Sequence, residues 1–225
     1  MKMCLVNFAK GVRYEKGSIR LKRTFVENGY KGDFAFYTDE KELGCLPHKE
    51  LPYAFKAYAL KRAYEAGYEI VIWADALIML VVPFSKVLDY TLKNKYLLPN
   101  NGWNSGQWCA DTALIPLGIT REESFKIPHM MACLMCLDLR EGVCIEFLKS
   151  YYEKSADGIT LKGAWRNDRG QVSKDKRVLG HRHDQTAASV IAYKLGMKFD
   201  NYLLTYESDS SDWQDTILFT NKGAI

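Results

Sequence analysis

Ile70-Val71-Ile72-Trp73-Ala74-Asp75-Ala76 decides how the fold is read. Its front part, from Glu69 to Trp73, is apolar at successive positions, so both faces of the strand it predicts need cover, as in the middle of a parallel sheet. A helix is predicted just before it, from about Pro52 to Ala66, with Pro in its first turn and Gly67 past its end. Further out, Asp33 to Tyr37 reads as a strand, Ser18 to Glu27 as a helix stopped by Asn28-Gly29, and Lys2 to Phe8 as a buried strand. Strand, helix, strand, helix, strand is the order of an open α/β sheet.

Downstream the pattern loosens. Phe84 to Leu92 reads as a helix, and Pro99 to Gln107 has no clear period. A capping box of Thr120 and Glu123 opens another helix. Met130 to Leu139 predicts a strand and Gly142 to Ser155 an amphipathic helix. A polar, glycine-containing stretch runs from Asp157 to Arg182, and helix returns from Gln185 to Leu195. With no internal repeat, low-complexity tract or linker, residues 1–225 are expected to form one domain.

The 225 residues are 48% hydrophobic and 26% charged, which excludes a disordered chain. Lys and Arg number 31 against 27 acids, an excess of +4 too small to declare a nucleic-acid binder. The longest apolar run, Ile70 to Phe84, falls short of the roughly 20 residues that span a bilayer and contains Asp75. The start lacks a signal-peptide core, and the six cysteines have no disulfide-framework spacing, so a cytoplasmic protein is expected. P-loop, dinucleotide and nucleophile-elbow motifs are missing. Cys133 and Cys136 have CxxC spacing without a second pair and read as buried thiols rather than a zinc site with His129 or Cys109.

Three stretches carry candidate chemistry. Asp75 follows a buried strand, where open α/β sheets place ligands, and a divalent cation with a diphosphate would offset its charge; a turn-capping Asp is the plainer reading. Gly180-His181-Arg182-His183-Asp184-Gln185 concentrates polar groups where a helix begins, a setting suited to an anion; the plainer reading is an Asp184 cap with solvated histidines. Asn100 to Asp111 holds Trp103, Asn104, Gln107 and Trp108, an indole-and-amide mix that grips sugars and equally makes a turn-rich loop.

Together these residues resemble nucleotide-sugar glycosyltransferases of the GT-A fold, in particular the retaining glycogenin and bacterial galactosyltransferase kind with its bacterial and phage relatives. Asn7-Phe8-Ala9-Lys10-Gly11-Val12-Arg13-Tyr14 looks like the first strand and nucleotide loop. Pro52-Tyr53-Ala54-Phe55-Lys56 looks like the helix start that supplies a donor-site lysine, and Trp73-Ala74-Asp75-Ala76-Leu77 like the metal motif, usually Asp-x-Asp. His183-Asp184-Gln185 looks like the Asp-Gln pair beside the donor sugar. The likeness runs over roughly residues 2 to 195 in matching order.

The resemblance implies one GT-A α/β domain with a mostly parallel sheet that moves a sugar from a nucleotide-sugar donor, UDP-sugar favoured, to an acceptor. Ala9, Gly11, Tyr14, Lys56, Asp75 and Arg182 would bind the donor. Asp184 would take sugar hydroxyls, with Gln185 near the anomeric carbon, and the departing phosphate would accept the acceptor's proton. An inverting enzyme would instead need a base, Asp111 or Asp184. Trp103, Asn104, Gln107, Trp108 and Asp111 are acceptor candidates, the acceptor being a glycan, a small molecule or a modified DNA base. Leu77 stands where the second acid would fall, so a Mn²⁺ or Mg²⁺ ion at Asp75 would need help from His181, His183 or a C-terminal acid such as Asp212. Alternatives are a nucleotidyltransferase and a non-catalytic carbohydrate or nucleic-acid binding module. The stretch from Asp157 to Arg182 holds seven basic residues and three acids, the excess of the entire chain, and reads either as a solvated loop or as a basic lid.

Overall fold

A computed structural model describes residues 1–200 and, as backbone, 204–205 and 218–220; Asp212 lies outside the described residues. In chain order the elements are β1 (Met3–Phe8), α1 (Val12–Glu27), β2 (Asp33–Tyr37), α2 (Glu40–Leu43), α3 (Phe55–Glu65), β3 (Ile70–Ala74), β4 (Ile78–Leu80), α4 (Phe84–Asn94), β5 (Tyr96–Leu97) and β6 (Asn100–Asn104). There follow α5 (Asp111–Leu117), α6 (Arg121–Ser124), β7 (Pro128–Met130), β8 (Leu134–Asp138), α7 (Gly142–Ala156), α8 (His183–Lys194), β9 (Leu204–Thr205) and β10 (Leu218–Thr220). The main sheet has the order β2-β1-β3-β8-β5. β1 is parallel to β2 and β3, while β8 runs antiparallel to both β3 and β5.

Period-two alternation along β3 sorts its side chains to two apolar layers. Ile70, Ile72 and Ala74 pack with Leu21 and Phe25 of α1 and Phe84 and Val87 of α4. Val71 and Trp73 face Ala59 and Leu60 of α3, Phe147 and Tyr151 of α7, and Ile191 of α8. Every residue of β3 is buried, the condition that its unbroken apolar run anticipates. The central sheet is therefore mixed but mostly parallel around β1.

Three differences from the sequence reading bear on function. α1 starts at Val12 rather than Ser18, because Gly11 at φ +94° turns the chain straight from β1 into the helix. The stretch from Met130 to Leu139 breaks into β7 and β8, with Met131-Ala132-Cys133 between them. The Ala132 carbonyl leaves the ladder and accepts from the Lys56 ammonium, while the Cys133 carbonyl extends the β3–β8 pairing by one residue and accepts from the Asp75 amide. The stretch without clear period, Pro99 to Gln107, contains β6, paired antiparallel with β7.

The segment 157–182 is neither a solvated loop nor a loose lid. Leu161, Val172 and Val178 are buried against Ala113 and Leu117 of α5 and Val190 of α8. The Asn167 amide donates to the carbonyls of Ser173 and Val178, and its oxygen accepts from the amides of Val172 and Ser173. One side chain thus satisfies the turn's backbone groups.

Candidate active site

The carboxyl ends of β1 and β3 are held in register by a buried amide. Asn7 donates to the Ala74 carbonyl at 2.6 Å and accepts from Ser18 of α1 at 2.9 Å. Asp75 follows at once, its amide bonded to Cys133 and its carbonyl accepting from Ile78. Arg20 of α1 binds the Leu77 carbonyl at 3.2 Å, so α1 fixes both ends of this turn. Here a cavity of about 470 Å³ opens, lined by Phe8, Lys10, Tyr14, Tyr53, Lys56 and Asp75 with Glu40, His48, Phe55, Trp73, Ala76 and Leu77.

Lys56 is the floor of the site. Its side chain is only 4% exposed, and Nζ lies 3.0 Å from Asp75 Oδ1, 3.1 Å from Asp184 Oδ2 and 2.9 Å from the Ala132 carbonyl. Burial alone would strip the proton; Asp184 and then Asp75 outweigh it and hold Lys56 above its ordinary pKa. Burial likewise raises Asp184, against the pull of Lys56. Asp75 differs from Asp184 in facing the cavity, its side chain 35% exposed against 5%. Trp73 Nε1 donates to Asp75 Oδ1 at 2.7 Å and fixes that carboxylate. Two carboxylates around one ammonium leave the cluster a net negative charge.

Tyr53 forms part of the wall, with the buried His183 packed near its ring. Both hold positive φ, +62° and +42°, in a region that non-glycine residues enter at a cost of about 1–3 kcal/mol. Their rings lie 5.6 Å apart, and the Tyr53 ring is 5.3 Å from the Lys56 ammonium. His48 Nδ1 accepts from the Tyr53 amide, which secures the strained turn. His181 and His183 are buried rather than solvated. His181 bonds the Thr160 carbonyl through Nε2 and accepts the Ala110 amide on Nδ1; His183 bonds the Leu161 carbonyl through Nδ1. Burial pushes their pKa values down to about 3 and about 4.

Arg182 lies between two indoles, its guanidinium carbon 3.9 Å from the Trp108 ring and 3.5 Å from the Trp165 ring. Trp103 meets Trp108 edge-on at 5.6 Å, and Trp165 stands 6.4 Å from Tyr53. An aromatic strip therefore leads from the cavity wall outward, with Trp103 and Trp165 about half exposed. Asn104 and Gln107 cap each other's backbone reciprocally at the foot of this strip. Asp111 is engaged elsewhere, by Arg121 at 2.5 Å and Ser173 at 2.8 Å.

Of the residues singled out in the sequence, Tyr14, Lys56 and Asp75 line the cavity, and Asp184 joins them through Lys56. Ala9 and Gly11 flank lining residues without lining it themselves; the Ala9 amide bonds the Tyr37 carbonyl instead. Gln185 donates to His129 at 3.1 Å. The sequence reading passed over Glu40, His48, Trp165 and the strained Tyr53. Trp165 was signalled by an indole inside a polar stretch; nothing in the sequence marks Tyr53, since glycine is the usual occupant of such a φ.

Among the described residues no group of three or more His, Cys, Asp or Glu side chains comes together as a metal cage. Asp75 opens a carboxylate to the cavity, whereas that of Glu40, also in the lining, is taken up by the Lys10 ammonium and the His48 amide. The Asp75 donor, in a net-negative cluster, suits a Mg²⁺ or Mn²⁺ ion that takes its other ligands from a diphosphate and water. Cys133 and Cys136 are raised by burial and act as inert thiols.

The sequence matches no family model and no curated protein. Among solved structures, mouse xyloside xylosyltransferase 1 superposes with a TM-score of 0.50 at 10% identity, over 99% of this chain and 98% of that one. A glycosyltransferase involved in glycosylation of the major capsid of PBCV-1 superposes with a TM-score of 0.52 at 10% identity, over 98% of this chain and 95% of its own. At such identity the likeness speaks for architecture. The chain has the α/β fold of the GT-A glycosyltransferases.

Proposed function

We propose that the protein is a glycosyltransferase that moves a sugar from a nucleoside diphosphate, UDP favoured, to an acceptor glycan, with retention at the anomeric carbon. The observation that carries this reading is the cavity at the ends of β1 and β3 with Lys56 between Asp75 and Asp184 at its floor. Its volume, about 470 Å³, lies within the range of roughly 300–1,000 Å³ usual for small-molecule sites. Aromatic walls from Phe8, Tyr14, Tyr53 and Phe55 suit a nucleoside, and the half-exposed Lys10, paired with Glu40, places a cation beside the cavity where a diphosphate would lie.

A divalent cation held by Asp75 would neutralise the charge that gathers on the leaving diphosphate. Lys56 orients both carboxylates, and Asp184, fixed from below, accepts hydroxyls of the donor sugar. Retention is favoured by the state of the two candidate bases: Asp184 is committed to Lys56 and Asp111 to Arg121. The proton of the acceptor then goes to the departing phosphate. The strip of Trp103, Trp108, Arg182 and Trp165 is the proposed acceptor platform, because indole faces stack on the C–H side of sugars. Six unpaired cysteines support a reaction in the cytoplasm. No helix among the described residues is long and apolar enough to cross a membrane.

The test is slow donor hydrolysis across UDP-, GDP- and CDP-sugars with Mn²⁺, followed by NMR of the product. Hydrolysis of a UDP-sugar with the anomeric configuration kept is the expected outcome. Inversion would overturn retention, and binding of oligosaccharide or DNA without turnover would make the protein a binding module.

A further inference from the structure

Gln185 sits beside Asp184 on α8, and its carboxamide meets a histidine that the proposed reaction does not use. His129, wholly buried at β7, has Nδ1 2.9 Å from Asn101 Nδ2 and 3.1 Å from Gln185 Nε2, while its Nε2 lies 3.4 Å from Thr186 Oγ1. Which way each amide faces follows from the chain of donors. The Thr186 hydroxyl gives its one proton to the Trp108 carbonyl at 2.5 Å. Its oxygen can therefore only accept from His129, so the imidazole carries hydrogen on Nε2 and a lone pair on Nδ1. At the other end, Asn101 Oδ1 accepts the Trp103 amide at 3.0 Å, which turns Asn101 Nδ2 toward the ring. Both ends agree: Nδ1 is an acceptor facing two amide donors.

We propose that His129, as a neutral Nε2–H imidazole anchored through Thr186 to Trp108, is a positioning residue that turns the Gln185 carboxamide so that its oxygen faces away from the ring and toward the donor sugar. This rests on the reading of the protein as a glycosyltransferase. The consequence is chemical. As the anomeric C–O bond to the diphosphate breaks, its electron pair leaves on the diphosphate oxygen and positive charge gathers on the anomeric carbon. The acceptor oxygen then bonds that carbon, and its proton passes to the departing diphosphate. A carbonyl oxygen near the carbon favours the developing charge, whereas the amide NH₂ would oppose it. Burial, with Arg182 and His181 nearby, holds the His129 pKa down to about 3, which keeps the ring neutral at working pH. The relay also joins the Gln185 carboxamide to Asn101 and Trp108, so the acceptor platform and the reacting centre share one hydrogen-bonded chain.

Two measurements test this, one independent of turnover. Long-range ¹H–¹⁵N NMR of the wild-type imidazoles at pH 7 is expected to show His129 as the neutral Nε2–H tautomer; an Nδ1–H tautomer overturns the proposal, whatever the enzyme does. For the role, UDP-sugar hydrolysis is compared in the wild type, His129→Leu and His129→Asn. His129→Leu should lower kcat about tenfold or more with donor KM within about threefold, and His129→Asn, whose Oδ1 restores an acceptor near Nδ1, should recover most of that loss. Equal losses in both variants, or a change confined to KM, overturn the positioning role. If no donor is hydrolysed by the wild type, the glycosyltransferase reading falls and the role of His129 with it, while the tautomer remains decided by NMR.

Discussion

Asp75 and Asp184 share one ammonium yet stand in different surroundings, and their amide variants should separate accordingly. Asp184 is buried with Lys56, both side chains about 5% exposed or less, so Asp184→Asn leaves a buried ammonium with one carboxylate. Breaking a buried pair from one side costs about 3–5 kcal/mol, but Lys56 keeps Asp75 and the neutral amide escapes the burial cost that raises the Asp184 carboxyl, so a smaller drop, of about 1–2 kcal/mol, is expected in urea unfolding. Asp75 faces the cavity with a third of its side chain exposed and keeps its place through Trp73. Asp75→Asn should therefore cost under about 1 kcal/mol of stability while removing most UDP-sugar hydrolysis and its response to Mn²⁺. Equal destabilisation by the two variants, or an Asp75→Asn enzyme with unchanged Mn²⁺ response, would show that the exposed carboxylate is not the working one.

Elements place these residues through close approach, and α1 shows how tight that approach is. A Cβ on Gly17 would lie 2.5 Å from the Ala76 carbonyl, in the turn that carries Asp75. In an isolated helix Gly17→Ala would gain up to about 1 kcal/mol. Here the clash with backbone should reverse the sign, giving a loss of about 1–3 kcal/mol and a raised donor KM, measured by urea unfolding and hydrolysis kinetics. A stabilised variant with unchanged KM would mean that α1 does not set the Asp75 turn. Gly17 also marks the limit of reading elements from sequence: a glycine inside a helical pattern looks like a weakness until its neighbour is known. The first three strands and α3 were legible because their apolar runs and stop signals are local. So was the placing of Asp75 at a strand end. The β7–β8 break was not, since there the Ala132 carbonyl turns to Lys56, a residue distant in sequence. The 157–182 segment misled for the same reason: Asn167 and three buried apolar side chains order it through partners that composition does not display.

Across the whole molecule, three buried histidines tie the second half together, and this sets how the protein meets acid. His181 and His183 hold the carbonyls of Thr160 and Leu161, and His129 links β7 to α8. Burial lowers all three from 6.5, to about 3 for His129 and His181 and about 4 for His183. The unfolded chain therefore binds more protons than the folded one below pH 6.5, and stability falls as pH falls through that window. Each imidazole contributes about 1.4 kcal/mol per pH unit there, or about 2 kcal/mol by pH 5. Asp184 acts in the opposite direction: burial raises its carboxyl, so as the pH falls the folded state takes up that proton first and offsets part of the loss. The net loss between pH 7 and pH 5 is on the order of a few kcal/mol, a large part of the roughly 5–15 kcal/mol that holds a domain folded. Unfolding free energies from urea titrations at the two pH values should differ by that amount, with the midpoint lower at pH 5. Because His181 and His183 pin the 157–182 segment, trypsin at pH 5.5 should cut first among its exposed Lys162, Arg166, Arg169, Lys174 and Lys176. A urea midpoint that stays level from pH 7 to pH 5 would mean that these imidazoles accept protons inside the folded protein, and that the segment over the site is held by its apolar anchors alone.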